Sequence, residues 1–191
     1  MILLKAIEES INVKQRILSN PELLEVIHNA ADSIVECFRN GGKVLFCGNG
    51  GSAADAQHIA AELSGRFYYD RDPLDAEALH VNTSYLTAVA NDYSYDQIYS
   101  RLIKAKGRKG DILVGISTSG NSSNVVNAFI EAKKLEMIVI SLTGETGGKM
   151  KDYSEYLINI PSSDTPRIQE SHILIGHIIC QIVEETLFPK E

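Results

Sequence analysis

The chain has no tryptophan, and only three of its 191 residues are cysteine. Cys37, Cys47 and Cys180 lie far apart, in no CxxC pair or metal-finger spacing, so neither a disulfide framework nor a cysteine zinc site is expected. They read as free thiols of a reducing cytosol. No apolar run approaches the roughly 20 residues that span a bilayer. The N-terminal stretch MILLKAIEES carries acidic residues and no small-residue cleavage site, unlike a secretion signal. Basic residues are also scarce: 18 Lys and Arg against 25 Asp and Glu give a net charge of −7, with the cations scattered. That argues against a phosphate-backbone interface, hence against nucleic acid. A membrane partner is equally unexpected, and the expectation is a cytoplasmic protein.

What is present has the period of helices and then of alternating strands and helices. Ile2, Leu3, Ile7, Ile11 and Ile17, then Leu23, Ile27, Ala31, Ile34 and Phe38, recur at helical spacing and predict two leading helices broken near Asn20-Pro21. Five short β-rich runs follow: KVLFCG, EALHVNT, DILVGIST, MIVISLTG and YLINIPS. Helical stretches are expected over 52–64, 84–105, 122–134, 147–153 and 167–187. The expected fold is α/β, a five-stranded parallel sheet flanked by helices in a flavodoxin- or Rossmann-like three-layer sandwich, with the leading helices added. No linker or low-complexity tract divides 1–191, so a single domain is expected.

Two turns carry the chemistry. The first, Gly48-Asn49-Gly50-Gly51-Ser52-Ala53, loosely fits a dinucleotide fingerprint. The acidic residue that should close the next strand is missing, because Asp70, Asp72 and Asp75 precede that strand. No lysine follows the glycines, which excludes a P-loop. What is left is a phosphate cradle, in which glycine lets backbone N–H groups approach an anion at a helix N-terminus. The second turn holds Ser117, Thr118, Ser119, Asn121, Ser122 and Ser123 between a buried strand and a helix start. Such residues routinely cap helices. Two such turns at the ends of two strands favour a binding site, since ligands of open α/β sheets bind there.

His58 and Glu62 stand at i and i+4, on one face of the helix opened by the first turn. That spacing suits a proton-transfer pair or half of a metal site, although a lone HxxxE is more often a surface pair. The last helix, PRIQESHILIGHIICQIVEE, sets Gln169, His172, His177 and Gln181 in a mostly apolar pattern, where each needs a partner or solvent.

The stretches GNGGSAADAQHIAAELSGRF, ANDYSYD, GISTSGNSSNVV and TPRIQESHILIGH together resemble the sugar isomerase (SIS) domains of the phosphoheptose isomerase family, over nearly the whole chain. The resemblance implies an aldose–ketose isomerase that converts sedoheptulose 7-phosphate to D-glycero-D-manno-heptose 7-phosphate through an enediolate, feeding heptose precursors of lipopolysaccharide or capsule. It implies substrate binding by Asn49, Gly50, Gly51, Ser52, Glu62, Asn91, Asp92, Ser117, Thr118, Ser119, Ser122 and Gln169. Catalysis falls on Glu62 and His177, and one zinc ion per subunit falls on His58, Glu62, Gln169 and His177. It further implies a homotetramer, with residues 1–40 the natural candidates for joining the protomers.

Moving a carbonyl from C2 to C1 needs a base, an acid and a stabiliser of the intermediate, which these residue types supply. The sequence does not assign which residue moves which proton. On one helix Gln169 and His177 would stand about 12 Å apart along the axis, near the limit for sharing one ion. The alternative is a non-catalytic SIS protein that binds the replication initiator DnaA, which this chain resembles in ANDYSYDQIY and its ETLFP ending. Such a relative is expected to lack the glutamate and histidine retained here as Glu62 and His177.

Overall fold

A computed structural model describes residues 1–190. Two helices lead, α1 (Ile2–Leu18) and α2 (Pro21–Arg39), followed by β1 (Val44–Gly48), α3 (Gly51–Ser64) and β2 (Ala76–Ala78). Then come α4 (Thr83–Asp92), α5 (Ile98–Lys106), β3 (Ile112–Ser117), α6 (Ser123–Lys134), β4 (Ile138–Thr143), β5 (Tyr156–Asn159) and α7 (Thr165–Leu187). All five strands pair in parallel, in the order β2-β1-β3-β4-β5. The sheet and its flanking helices are those expected from the alternating pattern.

The central strands are apolar throughout because both faces are covered. On one face Phe46, Val114, Ile116 and Ile140 meet α2, α3 and α7. On the other, Leu45, Cys47, Leu113 and Val139 meet α5 and α6. With this strand order the connections leave β1 and β3 in opposite directions, opening a crevice at the carboxyl ends of these neighbouring strands. Both glycine- and serine-rich turns lie at that edge.

The break between α1 and α2 falls at Asn20, whose side chain accepts the Leu23 N–H at 3.1 Å, with Pro21 in the first helical position. α2 buries Leu23, Ile27, Ala31 and Ile34, whereas α1 buries only Val13 and Ile17. Ile2, Leu3, Leu4, Ile7 and Ile11 of α1 stay exposed. Besides Val13 and Ile17, polar bonds tie α1 down: Arg167 of α7 donates to the Ala6 carbonyl, and Ser10 donates to Glu170 at 2.7 Å.

Three expectations need correction. The helix expected over 84–105 is two helices, interrupted at Tyr93 and Ser94 and by a 3₁₀ turn over Tyr95–Gln97. The strand expected at EALHVNT is only Ala76–Ala78, because the exposed Asn82 caps α4, accepting the Tyr85 N–H at 3.0 Å. The stretch 147–153 forms a 3₁₀ turn over Met150–Tyr153 alone.

Candidate active site

α3 and α7 lie side by side and run in the same direction. A Cβ added to Gly51 at the start of α3 would lie 2.6 Å from Gln169 Nε2, and one added to Gly176 would lie 2.4 Å from Ile59 Cδ1. The small residues let the helices close on each other. Eight residues beyond Gln169, His177 therefore comes level with His58, seven residues beyond Gly51. His58 Nε2 is 3.0 Å from Glu62 Oε1 and 3.5 Å from His177 Nε2, and the two rings meet edge to face at 5.0 Å between centroids. One ligand atom from each of His58, Glu62 and His177 lies within 4.8 Å of the other two. His58 is exposed and the other two are half-buried, so the group opens to solvent.

Neighbouring residues shape this cluster. Asp55, one turn before His58, buries a carboxylate oxygen that has no hydrogen-bond partner. Burial raises its pKa, opposed by the positive charge that His58 and His177 can carry. The Phe67 ring lies 5.7 Å from the His177 ring. Three fixed donors, two imidazole nitrogens and a carboxylate oxygen, are the set of an open zinc site. In a tetrahedral shell with bonds of about 2.0–2.1 Å, donor atoms are spaced by about 3.3 Å, near the two separations from His58 Nε2, 3.0 and 3.5 Å. The residues present fit such an ion.

Gln169, the fourth residue expected at the metal, stands about 12 Å back along α7, against the first turn. Within one protomer it is not brought into the three-residue group. His172 faces inward, fully buried, with Nε2 3.1 Å from the Thr143 carbonyl oxygen. Burial pushes its pKa down to about 4, so it is a neutral core residue. Gln181 bonds Glu185 on the surface at 2.9 Å.

The two turns are physically joined. Gly50, with φ +57, turns the chain into α3. Asn49 and the buried Asn124 at the start of α6 exchange amide hydrogen bonds, both 2.9 Å, and Tyr95 donates to Asn49 Oδ1 at 3.0 Å. In the second turn Ser117 Oγ lies 2.9 Å from Ser122 Oγ and 3.5 Å from Ser119 Oγ, which accepts the Asn121 N–H at 3.2 Å. Ser52 is buried at the head of α3 and Thr118 follows β3. Asn91 and Asp92 end α4, exposed and bonded to each other at 3.0 Å, on the corner that Tyr95 ties to the first turn. Asn124, Tyr95, Asp55 and Phe67 were not singled out from the sequence. Each lies inside one of the stretches that carry the resemblance, but the partners of Asn124, Tyr95 and Phe67 lie across the fold.

Comparison with known proteins identifies the family. The SIS domain family matches residues 8–144. Phosphoheptose isomerase of Aneurinibacillus thermoaerophilus is 54% identical over 182 residues, covering 95% of this chain and 92% of that protein. Its counterpart in Mycobacterium tuberculosis (strain ATCC 25177 / H37Ra) is 52% identical, covering 94% and 92%. The solved structure of phosphoheptose isomerase from Neisseria gonorrhoeae superposes with a TM-score of 0.90 at 46% identity, covering 96% of this chain and 97% of that one.

Proposed function

Since this chain belongs to the SIS domain family, among the phosphoheptose isomerases, and is a sugar-phosphate isomerase, we propose that its substrate is sedoheptulose 7-phosphate and its product D-glycero-D-manno-heptose 7-phosphate. The observation that carries this reading is the meeting of Glu62 and His177 from two helices, on the helix that the first turn opens.

The phosphate is held by neutral donors. Ser52, Ser117, Thr118, Ser119 and Ser122 offer hydroxyls, the Gly50-Gly51 backbone and the α3 N-terminus offer N–H groups, and Asn124 keeps Asn49 in place. Asn91, Asp92 and Gln169 bond the sugar hydroxyls. At the reacting end, the pair Glu62 and His177 removes a C1 proton from the ketose and returns a proton to C2. The accompanying transfer from O1 to O2 completes the aldose with no net gain or loss of protons. Between those transfers the molecule is an enediolate, whose charge falls beside the imidazole donors.

His58, Glu62 and His177 would hold one zinc ion per chain, which when bound polarises the substrate oxygens as a Lewis acid. Gln169 serves the substrate at the first turn, and reaches an ion only from a neighbouring copy. The exposed apolar row on α1 fits a homotetramer built through residues 1–40. Among the described residues no helix is long and apolar enough to cross a membrane, and a cytoplasmic enzyme making heptose precursors for lipopolysaccharide or capsule is the setting this reaction suits.

The test is a panel of ketose phosphates incubated with the purified protein, with the aldose product measured. Sedoheptulose 7-phosphate is expected to turn over fastest. Turnover of hexulose phosphates alone overturns the substrate assigned here.

A further inference from the structure

The C-terminal end of α3 is closed by a residue outside the helix. Arg71 Nη2 donates to the Glu62 carbonyl at 2.8 Å, and Nη1 donates to the carbonyls of Leu63 at 2.8 Å and Gly65 at 3.1 Å. These are the carbonyls that a helix end leaves without partners. No basic residue in the last turn of α3 does this work. Arg71 is itself held, because its Nε donates to Glu184 Oε1 of α7 at 3.1 Å, in a pair whose side chains are 2% and 1% exposed. The Glu184 carboxylate also accepts the N–H groups of Phe67 at 2.9 Å and Tyr68 at 2.7 Å.

Glu184 lies seven residues after His177, two turns along nearly the same face of α7. Phe67, whose N–H it binds, packs on the His177 ring. One buried carboxylate thus reaches both reacting groups, the backbone of Glu62 through Arg71 and the ring of His177 through Phe67. We propose that Arg71 and Glu184 are positioning residues, a buried clamp that sets the Glu62 carboxylate and the His177 imidazole against each other. This inference rests on the catalytic pair assigned above. A simple packing role does not require a charge here, since apolar replacements of buried ion pairs are often as stable.

The phosphate turn opens α3 eleven residues before Glu62, about 16 Å along the axis. The clamp therefore governs turnover and leaves phosphate binding alone. Two variants test it. R71M/E184Q removes both charges and leaves neither unpaired, while R71K keeps the cation but loses the forked donors that span Glu62, Leu63 and Gly65. Both are expected to lower kcat on the order of 10- to 100-fold, as small misplacements of reacting groups do, with KM within about twofold. Proton NMR gives an independent reading, because the His177 ring signals should move as the Phe67 ring leaves it.

Folded variants that keep kcat within about twofold, or that leave the His177 signals unmoved, overturn the proposal. So does a loss of binding equal to the loss of turnover. If the double variant does not fold, R71K decides. If the native protein turns over no ketose phosphate, the assigned reaction fails by itself, and the His177 signals still decide the clamp.

Discussion

His58 and His177 present their Nε2 atoms to each other at 3.5 Å, with Glu62 Oε1 3.0 Å from the first of them. Two imidazole nitrogens at that distance need a shared proton or a shared cation between them. With a carboxylate alongside, the arrangement favours a cation.

Zinc titrated into chelator-treated protein should accordingly bind at one site per chain. H58A should weaken binding by more than the roughly 10–100-fold that loss of an outer-shell partner costs. Isothermal titration checks this without an activity assay. Equal zinc affinity in native protein and H58A would remove the metal reading while leaving the acid–base pair standing.

The second turn makes a separate prediction. Ser119→Ala removes a hydroxyl on a partly exposed turn whose fold rests chiefly on backbone bonds, including Gly120 N–H to the Ser117 carbonyl at 3.0 Å. A hydrogen bond to a charged group is worth about 1.5–3 kcal/mol, so KM should rise roughly 10- to 150-fold. The melting temperature should hardly change. An unchanged KM counts against the turn as the phosphate site.

His172 predicts a pH dependence of stability. Its folded pKa is depressed from 6.5 to about 4, so the unfolded chain takes up its proton first as pH falls. Stability from this group is complete above about pH 6.5, declines between there and about pH 4, and falls no further below. The loss is on the order of 3 kcal/mol at most. In H172Q the fall in melting temperature across that window should be shallower than in native protein. Parallel curves would show that other groups set the acid response.

The apolar row on α1 predicts assembly. Ile7 and Ile11 are 49% and 58% exposed in the single chain, so charges there cost the monomer little. Light scattering should show a tetramer for native protein and smaller species for I7E/I11E. An active native monomer at assay concentration would defeat this arrangement.

The sheet and the two turns were legible in the sequence because their signals are local: a β-rich run, a turn residue, then a helical period. The interruption at Tyr93 and Ser94 was hidden because no glycine or proline marks it anywhere in 84–105. β2 was overread because Asn82, which looked like the end of a strand, caps the helix that follows. In the site, the spacing of His58 and Glu62 showed a shared face, but only the close approach of α3 to α7 brings His177 to them. Arg71 and Glu184, 113 residues apart, gave no local sign at all. The same helix contact explains why Gln169 stands at the first turn, away from the three-residue group.

The decisive prediction concerns Glu62 and His177. Glu62→Gln preserves size and hydrogen-bonding reach but removes the carboxylate base, and His177→Gln removes the imidazole that shuttles a proton near neutral pH. Both side chains are at most half-buried, so neither change should unfold the protein. If Glu62 and His58 formed only a surface ion pair, losing it would cost a fraction of a kcal/mol of stability and activity would survive. A general acid or base contributes roughly 10²–10⁴-fold in rate, equivalent to about 3–5 kcal/mol of barrier. The two roles thus differ by far more than assay error. A coupled assay for the aldose product should show a loss in that range for each variant, and exchange of the C1 hydrogen with solvent should fall in parallel, because it reports proton removal directly. Variants that isomerise at near-native rates would remove the acid–base pair from the mechanism and leave the binding turns without a reaction to serve.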